Sequence, residues 1–188
     1  MPLSRPLILA STSPRRQFLM KEAGFQFEIA KPEGDESFPH HMPVELVPSY
    51  LAEKKALTFK DKIKNEVVLT ADTVVILGQS IMNKPADRAE AIQMLSALSG
   101  QTHIVITAVC LLSQEKQDLF DDRTKVTFMS LSADEISYYV DHYKPYDKAG
   151  AYGAQDWLGM VGIEKINGSY FNVMGLPMHK VYQHLMDF

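Results

Sequence analysis

The stretch THIVITAVCLLS, residues 102–113, constrains this chain more than any other. It is apolar or β-branched almost throughout, so it reads as a strand buried among other elements. EVVLTADTVVIL (66–77) has the same character, and Leu7–Ala10 reads as a shorter buried strand. None of these runs is long enough to span a bilayer. Segments of helical spacing lie between them. Pro14–Ala23 is a helix stopped by Gly24, and residues 44–63 read as helical with Pro48 tolerated near the first turn. Asp87 caps a helix to Leu98 that Ser99-Gly100 closes. Ser132 and Glu135 have capping-box spacing before a helix to Tyr143, and Pro177 opens a last helix.

Further strands are expected at 25–30 and 124–131. Gly78-Gln79 can turn the 66–77 strand back toward SIMNKP, and VGIEKINGSYFNVMG reads as a hairpin on Asn167-Gly168. Residues 31–43 and 144–157 read as loops. Strands alternating with helices, with hairpins among them, predict an α/β fold on a mixed sheet. No linker breaks the chain, so residues 1–188 are expected to form a single domain.

Hydrophobic content of 46% and charged content of 22% are those of an ordinary soluble globular protein. A net charge of −4 argues against a general nucleic-acid binder. The lone Cys110 lies in a buried run, is expected to be a core thiol, and allows no disulfide framework. MPLSRPLILAS lacks the apolar length and cleavage region of a signal peptide, so a reducing, cytoplasmic setting is expected.

Chemistry concentrates first at STSPRR, the joint between the first strand and first helix. Ser13 suits the N-cap and Pro14 the first helical position. Arg15 and Arg16 then oppose the helix dipole, at roughly 0.3–1 kcal/mol each. That cost is understandable if an anion such as a polyphosphate binds there, since guanidinium matches phosphate oxygens bidentately. Taken alone, the joint is equally a capped surface helix with two solvated arginines.

Asp72, at the end of an apolar run, can hold a divalent cation or take a proton from water; in isolation it is more often a turn residue. Asp35 and Glu36 form an acidic loop pair, a source of oxygen ligands for magnesium or simply solvated charge. Lys54 and Lys55 are adjacent, so on a helix at most one is expected to point at a site, and a lone lysine is more often a surface charge. Lys84 is held extended before Pro85. In DKAGAYGAQD the glycines permit close backbone approach, and Gln155 offers an amide suited to a base edge. The histidines lack zinc-ligand spacing, and His179 and His184 are expected at the surface. Neither a Walker A loop nor G-x-G-x-x-G is present.

The order of LILASTSPRRQFL, DES, YLAEKKA, LTADTVV, NKPAD, LSGQTHIVITAV, DKAGAYGAQ and GLP resembles the Maf family of nucleotide pyrophosphatases over Leu7 to Pro177. The resemblance implies a mixed twisted sheet with flanking helices in two lobes around a central cleft, often as a homodimer. It implies hydrolysis of a nucleoside triphosphate to the monophosphate and pyrophosphate with a divalent metal such as magnesium, manganese or cobalt. By the same resemblance, Asp72 is the catalytic base and Glu36 the acidic loop residue of metal-dependent catalysis. Both are the implied metal ligands. Ser11, Ser13, Arg15 and Arg16 fall on phosphate-binding positions, and Lys55 and Lys84 on the two family lysines.

Arg15, Thr73 and Gln155 are similar to the dTTP/UTP-hydrolysing subgroup, where a methylated-guanine subgroup carries tryptophan, glutamine and glutamate. Asn83 departs from the family pattern, as does Asp156 where glycine is usual, which sets a negative charge beside Gln155. The expected partner is a nucleoside triphosphate rather than nucleic acid or membrane. A non-catalytic nucleotide-binding regulator of cell division and a phosphomonoesterase are the rival readings.

Overall fold

The computed structural model describes residues 3–188. Its strands are β1 (Leu7–Ala10), β2 (Glu28–Ala30), β3 (Val67–Leu77), β4 (Ser80–Met82), β5 (Thr102–Leu112), β6 (Gln117–Phe128) and β7 (Ile163–Asn167). Its helices are α1 (Pro14–Glu22), α2 (Val47–Leu57), α3 (Arg88–Leu98), α4 (Ala133–Tyr143), α5 (Trp157–Gly162), α6 (Tyr170–Met174) and α7 (Met178–Asp187). Short 3₁₀ turns occupy Val44–Leu46 and Ala149–Ala151. The strands form one seven-stranded mixed sheet in the order β2-β1-β3-β5-β6-β7, with β4 paired to β3. β1 is parallel to both β2 and β3, whereas β3–β4 and β6–β7 are antiparallel. The mixed α/β expectation therefore holds. Among the described residues no helix is long and apolar enough to cross a membrane.

The chain divides into two compact units, and β3, β5 and β6 run from one into the other. The first comprises the chain through Asp72, Thr107–Asp122 and Gly175–Phe188; the second comprises Thr73–Ile106 and Arg123–Met174. Each has its own core. In the first, Ala52, Ala56, Phe59 and Ile63 pack on Val68, Ala108, Cys110 and Leu112. Burial pushes the Cys110 thiol up to about 12, as a core cysteine requires. In the second, Leu95 and Leu98 of α3 and Tyr139 and Val140 of α4 pack on Val105, Val126 and Phe128.

Local signals set most boundaries. Asp87 accepts from Glu90 N–H at 2.9 Å, and Ser132 and Glu135 form the full capping box. Gly24, Gly78 and Gly100 take positive φ where the helices and the β3–β4 turn end. Four expectations change. The strand at 25–30 is only Glu28–Ala30, since Phe25 is still tied to the end of α1, its N–H donating to Met20 O at 3.1 Å. The helix at 44–63 ends at Leu57, where Thr58 Oγ1 donates to Lys55 O at 2.8 Å.

β6 begins at Gln117 rather than 124, since its acids find partners on α7 within the first unit. His184 Nδ1 lies 2.7 Å from Asp118 Oδ2, and Lys180 Nζ lies 2.9 Å from Asp122 Oδ1. His184 is accordingly not a free surface residue; its ring stacks on Phe120 at 3.7 Å. The hairpin at Asn167-Gly168 does not form. After β7 the chain enters α6, where buried Asn172 donates from Nδ2 to Val105 O at 3.1 Å and Thr124 Oγ1 at 3.0 Å. Gly168 serves a close approach instead, because a Cβ there would sit 2.6 Å from Thr124 Oγ1.

Candidate active site

In the first unit, the β1–β3 register pairs Leu7 with Val67 and Leu9 with Leu69. β1 ends at Ala10 while β3 continues, so Asp72 lies just past the carboxyl end of β1, beside the turn that leads into α1. That is where open α/β sheets gather ligands. At this turn Ser11 is buried and its Oγ accepts from Ser13 N–H at 3.2 Å, while the Gln17 amide donates to Ser11 O at 3.1 Å. Ser13 holds the extended N-cap conformation, but its hydroxyl makes no capping hydrogen bond. Arg15, next after Pro14 in α1, is half-buried. Arg16 is committed locally: Nε donates to Gly175 O and Nη1 to Ala71 O, both at 2.8 Å. It ties α1 to β3 and keeps its charge near Asp72.

α2 is set over the same edge by Thr70, whose Oγ1 donates to Ala52 O at 2.6 Å. Two residues along β3 from Thr70, on the same face, stands Asp72. One helical turn along α2 from Ala52 stands Lys55. The two meet: Lys55 Nζ lies 2.6 Å from Asp72 Oδ1 and 2.9 Å from Glu36 Oε1. Lys54 bonds Asp35, and reaches Ser37 O at 3.0 Å. The adjacent lysines thus each take one of the adjacent acids. Only Lys55 continues inward to Asp72, as helical geometry requires.

Burial pushes the Asp72 carboxyl up, against the opposing pull of Lys55 and Arg16. Burial likewise lowers Arg16, against the attraction of Asp72. On the exposed loop, hydrogen bonds from Lys54 and Ser37 hold Asp35 down to about 2. The result is a nearly buried carboxyl, made more basic than usual by burial and hydrogen-bonded to an ammonium. Such a group can take a proton from water. Asp72 and Glu36 also present hard oxygen donors, although no group of three Asp, Glu, His or Cys side chains gathers among the described residues.

The remaining candidates, Thr73, Lys84 and Gln155, belong to the second unit. Thr73 follows Asp72 in β3 and its side chain takes the opposite face. Lys84 is exposed just after β4, and the neighbouring Asn83 carbonyl accepts from Gly150 N–H at 3.1 Å. Gly150 has φ +69°, and a Cβ there would lie 3.0 Å from Val75. Gln155 sits in a turn closed by Asp156 N–H donating to Gly153 O at 3.1 Å. Its Oε1 is buried and accepts no hydrogen bond within the chain.

Sequence reasoning overlooked two supports of this loop. His103 of β5 is fully buried, and its Nε2 shares a hydrogen bond with Tyr152 Oη at 2.7 Å. Burial lowers the imidazole to about 4, so it is neutral under physiological conditions. Its place in the apolar run 102–113 was the available signal. Lys148 is the other support, 2.8 Å from Asp147 and 3.7 Å from Asp156. Nothing in its local sequence separates it from a solvated lysine.

The family model for Maf-like protein matches residues 6–188. The chain belongs to the Maf family. Among its relatives, a dTTP/UTP pyrophosphatase of Bacteroides fragilis is 48% identical over 181 residues, covering 95% of this chain and 94% of the relative. Proteins of the same description from Flavobacterium psychrophilum and Porphyromonas gingivalis are 47% and 45% identical, over 96% and 97% of this chain and 93% and 94% of theirs. Membership of the Maf family accounts for the order of motifs from STSPRR to GLP, which no single motif explains.

Proposed function

We propose that this Maf protein is a nucleoside triphosphate pyrophosphatase, hydrolysing dTTP and UTP to the monophosphate and pyrophosphate. The observation that carries the reading is the Asp72–Lys55–Glu36 chain beside the start of α1, in a protein nearly half identical to dTTP/UTP pyrophosphatases. A triphosphate needs charge neutralisation and an oriented water more than covalent chemistry. In this reading Asp72 takes the proton as water oxygen bonds the α-phosphorus, the α–β bridging bond breaks, and pyrophosphate leaves with the bridging oxygen. Lys55 holds Asp72 in place and opposes the effect of burial on its charge. Ser11, Ser13 and Arg15 at the α1 turn bind phosphate oxygens, Lys84 adds a further cation, and Arg16 keeps positive charge beside the base. Thr73, Arg15 and Gln155 contribute to choice of the base.

The oxygens of Asp72 and Glu36, hard donors of the kind such ions take, would hold a magnesium, manganese or cobalt ion. Such an ion would neutralise phosphate charge and acidify water. A chelator such as EDTA is therefore expected to abolish turnover, and added metal to restore it. The reading carries with it a cytoplasmic setting and a homodimer, the latter checked by light scattering.

A panel of triphosphates assayed for both pyrophosphate and inorganic phosphate tests the proposal. Pyrophosphate released first from dTTP and UTP is the expected result. Phosphate as first product would make the protein a phosphomonoesterase, and tight binding without turnover a regulatory nucleotide-binding module.

A further inference from the structure

Asp156 has no role in the mechanism above, yet the second unit is built closely around it. Tyr139 Oη donates to Asp156 Oδ2 at 2.8 Å and itself accepts from Gly153 N–H at 3.1 Å. Lys148 Nζ lies 3.7 Å from the same carboxylate oxygen. Gly153 leaves the space for it: a Cβ there would stand 2.6 Å from Asp156 Oδ2. On the other side, α5 approaches so closely that a Cβ on Gly159 would lie 2.1 Å from Ala154 O. Asp156 occupies the N-cap position of α5 but its side chain caps nothing there, so the helix start does not explain it.

The turn held by these contacts carries Gln155. Its buried Oε1 accepts no hydrogen bond from within the chain, so the turn and not a bond of its own sets where the amide lies. Something must hold it, and the bonds around Asp156 hold the backbone on both sides of it. A side chain kept unsatisfied by an over-determined backbone is the mark of a pre-organised site.

We propose that Asp156, through Tyr139 and Lys148, is a positioning residue for Gln155 and so sets discrimination between uracil or thymine and cytosine triphosphates. The inference rests on the pyrophosphatase reading. It requires that loosening the turn should alter base choice and KM rather than the chemical step at Asp72.

Pyrophosphate release from UTP, dTTP and CTP tests it in Asp156→Ala, Asp156→Asn, Tyr139→Phe, Gln155→Ala and the double variant Gln155→Ala/Asp156→Ala. Asp156→Ala and Tyr139→Phe are expected to lower the ratio of kcat/KM for UTP over CTP about tenfold, mainly through KM. Asp156→Asn, which still accepts from Tyr139, should retain most of the preference. The double variant should discriminate no worse than Gln155→Ala alone, since coupled residues are not additive.

Wild-type preference in both Asp156→Ala and Tyr139→Phe, or full additivity in the double variant, overturns the inference. Should Asp156→Ala melt out, Tyr139→Phe alone decides, because it keeps the buried ring and removes only the hydroxyl. A wild-type protein that releases pyrophosphate from no triphosphate refutes the functional reading, and this inference with it. Failure of the inference alone leaves that release intact.

Discussion

Replacing Asp72 by asparagine separates its chemistry from its structural cost. The residue is 8% exposed, and its carboxyl is pushed up from 3.8 mainly by burial, with Lys55 and Arg16 opposing. Because burial outweighs the ion pairs, the ionised side chain does not stabilise the fold on balance. Asparagine removes the buried charge, keeps the shape, and leaves Lys55 its partner Glu36 at 2.9 Å. We expect a change within about 1 kcal/mol at neutral pH, or a few degrees in Tm for a chain of this size.

The pH dependence has a definite sign. With its folded value above the unfolded one, Asp72 binds more protons in the folded state between them. Its contribution is complete below about 3.8 and is lost as pH rises through the folded value. Wild-type stability relative to Asp72→Asn should therefore fall as pH rises across that window. Activity should fall about 10²–10⁴-fold, the worth of a positioned base. Thermal melts in steps of pH and pyrophosphate release measure the two effects. Turnover close to wild type would remove Asp72 from the chemistry. A neutral-pH Tm more than about 10 °C lower would refute the dominance of burial over pairing.

Lys55→Met should do the opposite to stability: it leaves Asp72 buried without its main partner, costing about 3–5 kcal/mol in a denaturant melt, and activity is lost as well. An unchanged denaturation midpoint would mean that Asp72 does not depend on Lys55. Gly159→Ala should destabilise by about 2–4 kcal/mol, since its Cβ would fall 2.1 Å from the Ala154 carbonyl oxygen; a wild-type melt would count against that packing. His103, lowered from 6.5 to about 4 by burial, contributes stability that is lost as pH falls from about 6.5 toward 4. Its ring resonances in NMR should stay those of a neutral imidazole down to about pH 5, and titration near 6.5 would contradict its burial.

Local signals marked out most of this fold. Caps at Asp87 and Ser132, glycines at 24, 78 and 100, and the long apolar runs each act within a few residues, where backbone sterics and side-chain hydrogen bonds decide. The misreadings have distant causes. β6 could not be followed through Asp118, Asp121 and Asp122, because two of those acids find their partners, His184 and Lys180, on α7 some sixty positions later. Asn167-Gly168 has hairpin chemistry, but the burial of Asn172 against Val105 and Thr124 takes the chain into a helix instead.

The site divides in the same way. Local signals put Ser11 just after β1, Arg16 in the first turn of α1, Glu36 in a loop and Lys55 on α2, whereas Asp72, read as ending an apolar run, lies within β3 because the strand continues to Leu77. Only the tertiary structure decided that Thr70 hangs α2 on β3, so that Lys55 of the adjacent lysine pair meets Asp72 while Lys54 turns to Asp35. It also turned Arg16 from a free cation into a clasp on two carbonyls, and Asp156 from a stray charge into part of a bonded turn. A sequence states which charges and donors exist. Which of them are desolvated, and therefore which interactions are strong, depends on what the rest of the chain brings over them.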